Sequence, residues 1–181
     1  KVISSGEVTS VIPNVWHKFN SGKVIKGPQT AVVSDLDRLP IFDKTIWEEH
    51  IPIGKFYLTM ASRGCPYRCT YCFNNFFSDL NPSLKERRIR YRSPEHMLAE
   101  LSWAKQRYDI QFIDFEDDIF TSNKTWLKKF LPLFKKQIAL PFHCLTHPSC
   151  IDEELVKLLA DSGCYSIQMG IQSMDESYKK E

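Results

Sequence analysis

Three cysteines in a Cys-x3-Cys-x2-Cys spacing, Cys65, Cys69 and Cys72, constrain this chain more than any other feature. They come directly after an apolar, strand-like run at residues 56–61. Three thiolates within eight residues can be turned toward one metal centre by a short loop. Gly64 and Pro66 flank Cys65, which suits a sharp turn rather than a helix continuing out of the strand. Iron–sulfur clusters are usually held by four thiolates. A cubane held by three leaves one iron with a free position, and an open metal position is where chemistry takes place. On spacing alone two other readings stay open: part of a structural zinc site, or three unrelated core thiols. Zinc needs a fourth ligand, and no Cys-x2-Cys or His-x3-His pair lies close by to supply it.

The rest of the composition bounds the class. A chain of 181 residues, 43% hydrophobic and 25% charged, is long enough for one domain with a real core. A net charge of +2 points to neither a nucleic-acid nor a membrane partner. No apolar run approaches the length of a membrane span, and residues 1–10 lack the apolar core of a signal peptide. Six cysteines, three of them scattered at Cys144, Cys150 and Cys164, do not form a disulfide framework. A reducing cytoplasm is the expected location, and the scattered three read as small buried hydrophobes.

Residues 1–50 differ in character from the remainder of the chain. Short apolar pieces alternate with turns at Pro13-Asn14, Asn20-Ser21-Gly22 and Gly27-Pro28, and residues 16–26 read as a small hairpin. From Phe56 strand and helix signals alternate, which argues for parallel β/α units. Strands are expected at 56–61, 110–115, 142–146 and 165–170. Helices are expected from Ser93 with Pro94 in the first turn, over 122–138 with a kink or early break at Pro132, and over 152–161 with Gly163 just past the end. Ser173 and Glu176 make a capping box for a fourth helix. The basic run at 85–92 reads as a solvated connector.

In parallel β/α folds, ligands sit at the carboxyl ends of the strands. The second strand ends in Glu116-Asp117-Asp118, and three acids beside an anionic cluster need a cation among them. The alternative is a solvated loop or a helix cap at Asp118. Gln172, after the fourth strand, has an amide that both donates and accepts. His147, at the end of the third strand, is better placed than His143 to meet a ligand, though a generic histidine is the plainer reading.

The cysteine spacing, the Arg63-Gly64-Cys65-Pro66 lead-in and Tyr71 before the last cysteine resemble the radical S-adenosylmethionine (SAM) enzymes. The pattern Ile-Pro-x-x-Trp at residues 12–16, a hairpin, and Leu-Asp-x-Leu-Pro at 36–40 resembles the bridge of the cobalamin-binding members. The resemblance implies an α/β fold, a partial TIM-like (β/α) barrel with about four units present. Residues 1–50 would be a linker from a cobalamin domain lying before Lys1, and 51–181 a radical core truncated at its C-terminus. It further implies a 4Fe-4S cluster on Cys65, Cys69 and Cys72. Tyr71, Asp117, Asp118 and Gln172 would contact S-adenosylmethionine, the acids at the methionine amino group and Gln172 at the ribose. The triple acid stands where the family more often has Gly-Gly-Glu, so which carboxylate serves is open. The implied reaction is reductive cleavage to a 5′-deoxyadenosyl radical, for methyl transfer or oxidative cyclisation with cobalamin. A small-molecule substrate and an electron donor such as flavodoxin or ferredoxin are the implied partners. The rivals are a radical methylthiotransferase acting on nucleic acid, which would need further cluster cysteines before residue 60, and a zinc-stabilised binding module without turnover.

Overall fold

The computed structural model describes residues 11–48, 50, 53–84 and 89–175. The chain opens with an antiparallel hairpin, β1 (Trp16–Lys18) and β2 (Val24–Lys26), in which His17 faces Ile25. Gly22 takes a positive φ of 84° in its turn. The expected hairpin is present. The segment after it is more regular than a plain extended arm, with single 3-10 turns at Leu36–Arg38 and Lys44–Trp47. Asp35 and Asp43 cap these turns by accepting from the backbone two residues on.

From there the chain builds one parallel sheet. Strand β3 (Phe56–Thr59) is followed, after a bend, by the two-residue β4 (Ser62–Arg63). The cysteine loop leads into α1 (Phe73–Leu80), and β5 (Arg90–Tyr91) returns to pair antiparallel with β4. Then come α2 (Pro94–Arg107), β6 (Phe112–Phe115), α3 (Lys124–Gln137), β7 (Phe142–Thr146), α4 (Glu153–Asp161) and β8 (Cys164–Met169). The order is β3-β6-β7-β8, parallel throughout, so each strand lies beside its sequence neighbour among the parallel strands. That is the sheet of a partial α/β barrel of the TIM-like kind.

Alternation along the strands explains the layering. Tyr57, Ile113, Phe115, Phe142 and Cys144 point to the helices and are fully buried. Phe115 is the hub of this layer, with ring centroids 4.5 Å from Phe120, 5.5 Å from Phe142 and 5.9 Å from Phe130. Helix α2 presents Met97, Leu98, Leu101 and Ala104 to it, the face expected from their spacing.

Several expectations are corrected. Helix α3 starts at Lys124 rather than at 122, is capped by Asn123, and runs through Pro132 without a break. A proline removes one amide donor. Here buried residues on both sides of it, Trp126, Leu127, Phe130, Leu131 and Phe134, hold the two halves to the same core. The first strand is split by the bend at residues 60–61, and β8 begins at Cys164. Arg92 is no solvated connector residue: it pairs with Glu100 at 2.6 Å, and both side chains are nearly enclosed. Glu100 also accepts from the Tyr57 and Thr59 hydroxyls, so the buried charge is fully partnered. Residues 85–88 lie outside the described residues, as does all of the fourth helix expected from Ser173 that would follow Asp175, whose amide donates to Ser173 Oγ at 3.0 Å.

The N-terminal arm is tied to the barrel by specific bonds. Lys44 reaches over the Tyr57 ring and donates to the Leu58 carbonyl, which satisfies an acceptor on the open edge of β3. Asp37 accepts from the Ser93 amide at 2.9 Å, and Glu48 accepts from Tyr108 at 2.7 Å. Burial pulls the Lys44 amine down to about 8.

Truncating the aromatic hub, Phe115→Ala, is expected to destabilise the chain by about 3–5 kcal/mol in urea unfolding. A loss below about 1 kcal/mol would mean that this layer is loosely packed.

Candidate functional site

The cysteine loop stands at the carboxyl ends of β3 and β6, where a parallel sheet presents its ligand site. Gly64 makes the turn into it with φ at 100°, in the left-handed region that side chains disfavour. The loop then tightens toward its last cysteine: the Cys72 amide donates to the Cys69 carbonyl at 3.0 Å and Asn75 to Cys72 at 3.2 Å. Cys72 itself occupies the N-cap position of α1. The expected turned loop is therefore present, but a helix begins at its final cysteine. The sequence carries a signal for this helix that the reading of the loop passed over: Phe73, Phe76, Phe77 and Leu80 recur at the i, i+3, i+4, i+7 spacing of one helical face.

Three contacts hold the loop in place. The first is Asp117, which is fully buried. It accepts from the Ala61 amide at 2.9 Å and from the Ser62 hydroxyl. Burial pushes its carboxyl up to about 6, against these hydrogen bonds and the Arg63 charge, which favour the ionised form. The second is Asn74, on the first turn of α1, whose side-chain amide donates to Asp118 Oδ1 at 2.9 Å. The third is Tyr67, between Cys65 and Cys69. Its ring lies 4.3 Å from that of His147, and its hydroxyl meets Ser149 and, at 3.3 Å, Cys150. His147 Nδ1 in turn bonds the Ser149 hydroxyl at 2.8 Å. His147 thus braces the loop. No motif in the sequence singles out Asn74 or Tyr67, because a residue's part in such a brace depends on what folds against it.

The thiols of Cys65, Cys69 and Cys72 are all half-buried and unbridged. Burial pushes the Cys65 thiol up, and the negative charges of Asp118, Cys69 and Cys72 push it further. Such a set holds three thiolates only when cationic metal is among them. Among the described residues no three ligating groups converge tightly enough for a single ion. A cubane, which places each thiolate on a different iron, asks for neighbouring thiols rather than a tight tetrahedron, so the donor set fits a 4Fe-4S cluster. Tyr71 is largely exposed, its ring beside Cys69 and Cys72.

The acids at the end of β6 divide by position. Asp117 is enclosed and directed at the backbone of residues 61–62, while Asp118 is exposed toward the thiols and Glu116 is exposed on the strand's other face. Gln172 is exposed just past β8, its amide folded back over Gly170. Of the scattered cysteines only Cys144 is fully buried; Cys150 touches the loop through Tyr67, and Cys164 lies against Cys144.

Comparison with known proteins agrees with this geometry. The pattern that defines the Radical SAM superfamily matches residues 60–181. An uncharacterized methyltransferase of Pyrococcus horikoshii is 27% identical over 94% of this chain and 36% of its own. The cytidylyl-2-hydroxyethylphosphonate methyltransferase of Streptomyces wedmorensis is 28% identical over 98% of this chain and 29% of its own. The chain therefore spans about a third of the length of these relatives. The fold matches that of TsrM from Kitasatospora setae, a radical S-adenosylmethionine methyltransferase solved with cobalamin and a 4Fe-4S cluster. Their TM-score is 0.68 at 19% identity, over 97% of this chain and 36% of that one. The cobalamin-dependent radical enzyme OxsB matches at a TM-score of 0.63 and 19% identity, over 99% of this chain and 26% of that one.

The Asp117 anchor carries a pH signature. Its carboxyl rises from the ordinary 3.8 when unfolded to about 6 when folded. The folded state then binds a proton more tightly than the unfolded state, and this contribution to stability is lost as pH rises between those values. The stability of the native chain minus that of Asp117→Asn, from urea unfolding, should fall as pH rises from about 4 to 7. A difference flat with pH would show that the buried carboxyl does not titrate in this window. With a cysteine loop pinned at the carboxyl ends of a parallel sheet and the family pattern matched over residues 60–181, the chain belongs to the radical SAM superfamily.

Proposed function

We propose that this chain is the catalytic core of a cobalamin-dependent radical SAM enzyme that transfers a methyl group, or carries out a related radical reaction, on a small molecule. The observation that carries this reading is the pinned loop, which holds three thiols and one exposed carboxylate together. The cluster on Cys65, Cys69 and Cys72, when bound and reduced, supplies the single electron that splits the carbon–sulfur bond of S-adenosylmethionine into methionine and a 5′-deoxyadenosyl radical. The protein's own part is to bind, orient and shield.

Asp118 is the carboxylate best suited to the methionine ammonium, because it is exposed beside the thiols and already oriented by Asn74. Asp117 supports the same site from beneath, through the loop. The place of Gln172 just past β8 supports assigning it to the ribose hydroxyls, and the exposure of Tyr71 beside the thiols supports assigning it to the open side of the loop. Residues 11–48 pack as an arm on the barrel's first strand, which supports reading 1–50 as a bridge from a cobalamin domain and 51–181 as the radical core. The relatives' methyl transfer, and cobalamin in the two solved neighbours, favour the methyltransferase reading over a nucleic-acid methylthiotransferase or a zinc module. A ferredoxin or flavodoxin is the expected electron source.

Anaerobic reconstitution with iron and sulfide tests this directly. About four irons and four sulfides per chain are expected, with a brown visible spectrum, all lost when Cys65, Cys69 and Cys72 are changed to alanine. With dithionite and S-adenosylmethionine, 5′-deoxyadenosine should form, and Asp118→Asn should lower its rate at least tenfold. A colourless protein retaining stoichiometric zinc would sink the radical reading.

A further inference from the structure

The arm is not sealed against the barrel. Between residues 36–44 and the carboxyl-terminal half of β3 lies a cavity of about 320 Å³, a size usual for small-molecule sites. Its apolar wall comes from both sides: Leu36, Leu39, Pro40 and Phe42 on the arm, and Leu58 and Met60 in and just after β3. Leu39, Phe42 and Leu58 line it while remaining 45%, 58% and 55% exposed. Apolar surface is thus left uncovered on both sides, and covering it is worth about 25 cal/mol per Å².

The remaining wall is charged, and most of its charges are already answered. Arg92 spends its donors on Glu100 at 2.6 Å, on His96 Nδ1 at 2.9 Å and on the Met60 carbonyl. Glu100 also accepts from Tyr57 and Thr59. Lys44 lies over the Tyr57 ring and donates to the Leu58 carbonyl. Glu116 is hydrogen-bonded to Asp114, and burial together with the Asp114 charge pushes its carboxyl up. Arg63 differs from all of these. Among the described residues its guanidinium makes one long hydrogen bond, to the Ser62 carbonyl at 3.3 Å, and no ion pair. The nearby Asp117 is committed to Ala61 and Ser62. Directly opposite Arg63 on the β4–β5 ribbon stands Arg90, a second cation, and like charges so placed repel. Burial pulls the Arg90 guanidinium down and the Arg63 charge adds to the effect.

We propose that this cavity binds an organic carboxylate of medium size, with its carboxylate on the Arg63 guanidinium and its hydrocarbon body between Leu39, Phe42 and Leu58. The planar guanidinium fork matches the two oxygens of a carboxylate. An anion there also relieves the repulsion between Arg63 and Arg90. A neutral hydrocarbon would cover the apolar wall and leave the arginine pair as it is, whereas a small anion would do the converse. An amphipathic anion answers both. Such a ligand touches the arm with its body and, through Arg63, the chain two residues before Cys65, so it joins the arm to the entrance of the cysteine loop. The inference goes beyond the radical-enzyme reading, and the binding does not depend on it.

The test uses the 181-residue chain without cluster or S-adenosylmethionine, so that failure to bind and failure of the radical reading are separate results. n-Octanoate is titrated by ligand-observed NMR at neutral pH, with n-octanol as its uncharged counterpart and acetate as an anion without the body. Saturable octanoate binding is expected, weakened at least tenfold by Arg63→Gln and at least threefold by Phe42→Ala, with octanol and acetate each at least tenfold weaker than octanoate. Arg63 and Phe42 are both exposed, so the variants should fold, and thermal melts confirm it. If one variant does not fold, the other decides. Absence of saturable binding, an unchanged affinity in either folded variant, or equal binding of octanol would each overturn the proposal. Displacement of octanoate by free methionine would overturn it too, by assigning the anion position to the methionine carboxylate of S-adenosylmethionine.

Discussion

A single buried carboxylate joins the sheet to the chemistry. Asp117 leaves the end of β6 and bonds the chain at Ala61 and Ser62, where β3 has ended and the turn toward Cys65 is about to begin. A carboxylate so enclosed costs several kcal/mol unless its oxygens are satisfied, and here both are. The contact falls on the bend after β3 and on the first residue of the short β4–β5 ribbon, and the Gly64 turn follows two residues later. The core supplies the leverage: Phe115, two residues earlier, is clamped among aromatic rings, so the strand end cannot drift.

Much of this arrangement is legible in the amino-acid sequence. The four parallel strands, the helices between them and the hairpin follow from alternation, capping residues and turn chemistry, and these are local properties of the chain. The cysteine loop is equally plain, since ligand spacing is a sequence property. The features that are not legible have one cause in common: they depend on partners distant in the chain. Pro132 reads as a break because the local rule counts a lost amide bond. That rule cannot count the five buried side chains that hold α3 on both sides of the proline. Arg92 reads as solvated because Glu100 is out of sight in a linear reading. The three acids after β6 look equivalent in sequence, and only the fold turns Asp117 inward and Asp118 outward.

The same contrast separates the two polar layers of the molecule. On the helix side, Glu100 is surrounded by Arg92, Tyr57 and Thr59, and every oxygen has a partner. On the open side, Asp114 and Glu116 bond each other, and Asp114 Oδ1 is left without a partner. A completed network specifies packing, whereas an incomplete one leaves part of its polar surface uncompensated.

The three braces of the cysteine loop come from separate stretches: residues 61–62 against β6, Asn74 against the segment after β6, and Tyr67 against the turn after β7. The loop is made before any of its partners except the bend itself. During synthesis the thiols therefore leave the ribosome untethered, and they acquire their final arrangement only when the chain has been extended past Cys150 and its third parallel strand has docked. Delivery of iron before that moment would meet a floppy peptide, and delivery after it a shaped socket. The socket is thus complete only after tertiary assembly, however early the ligands themselves emerge.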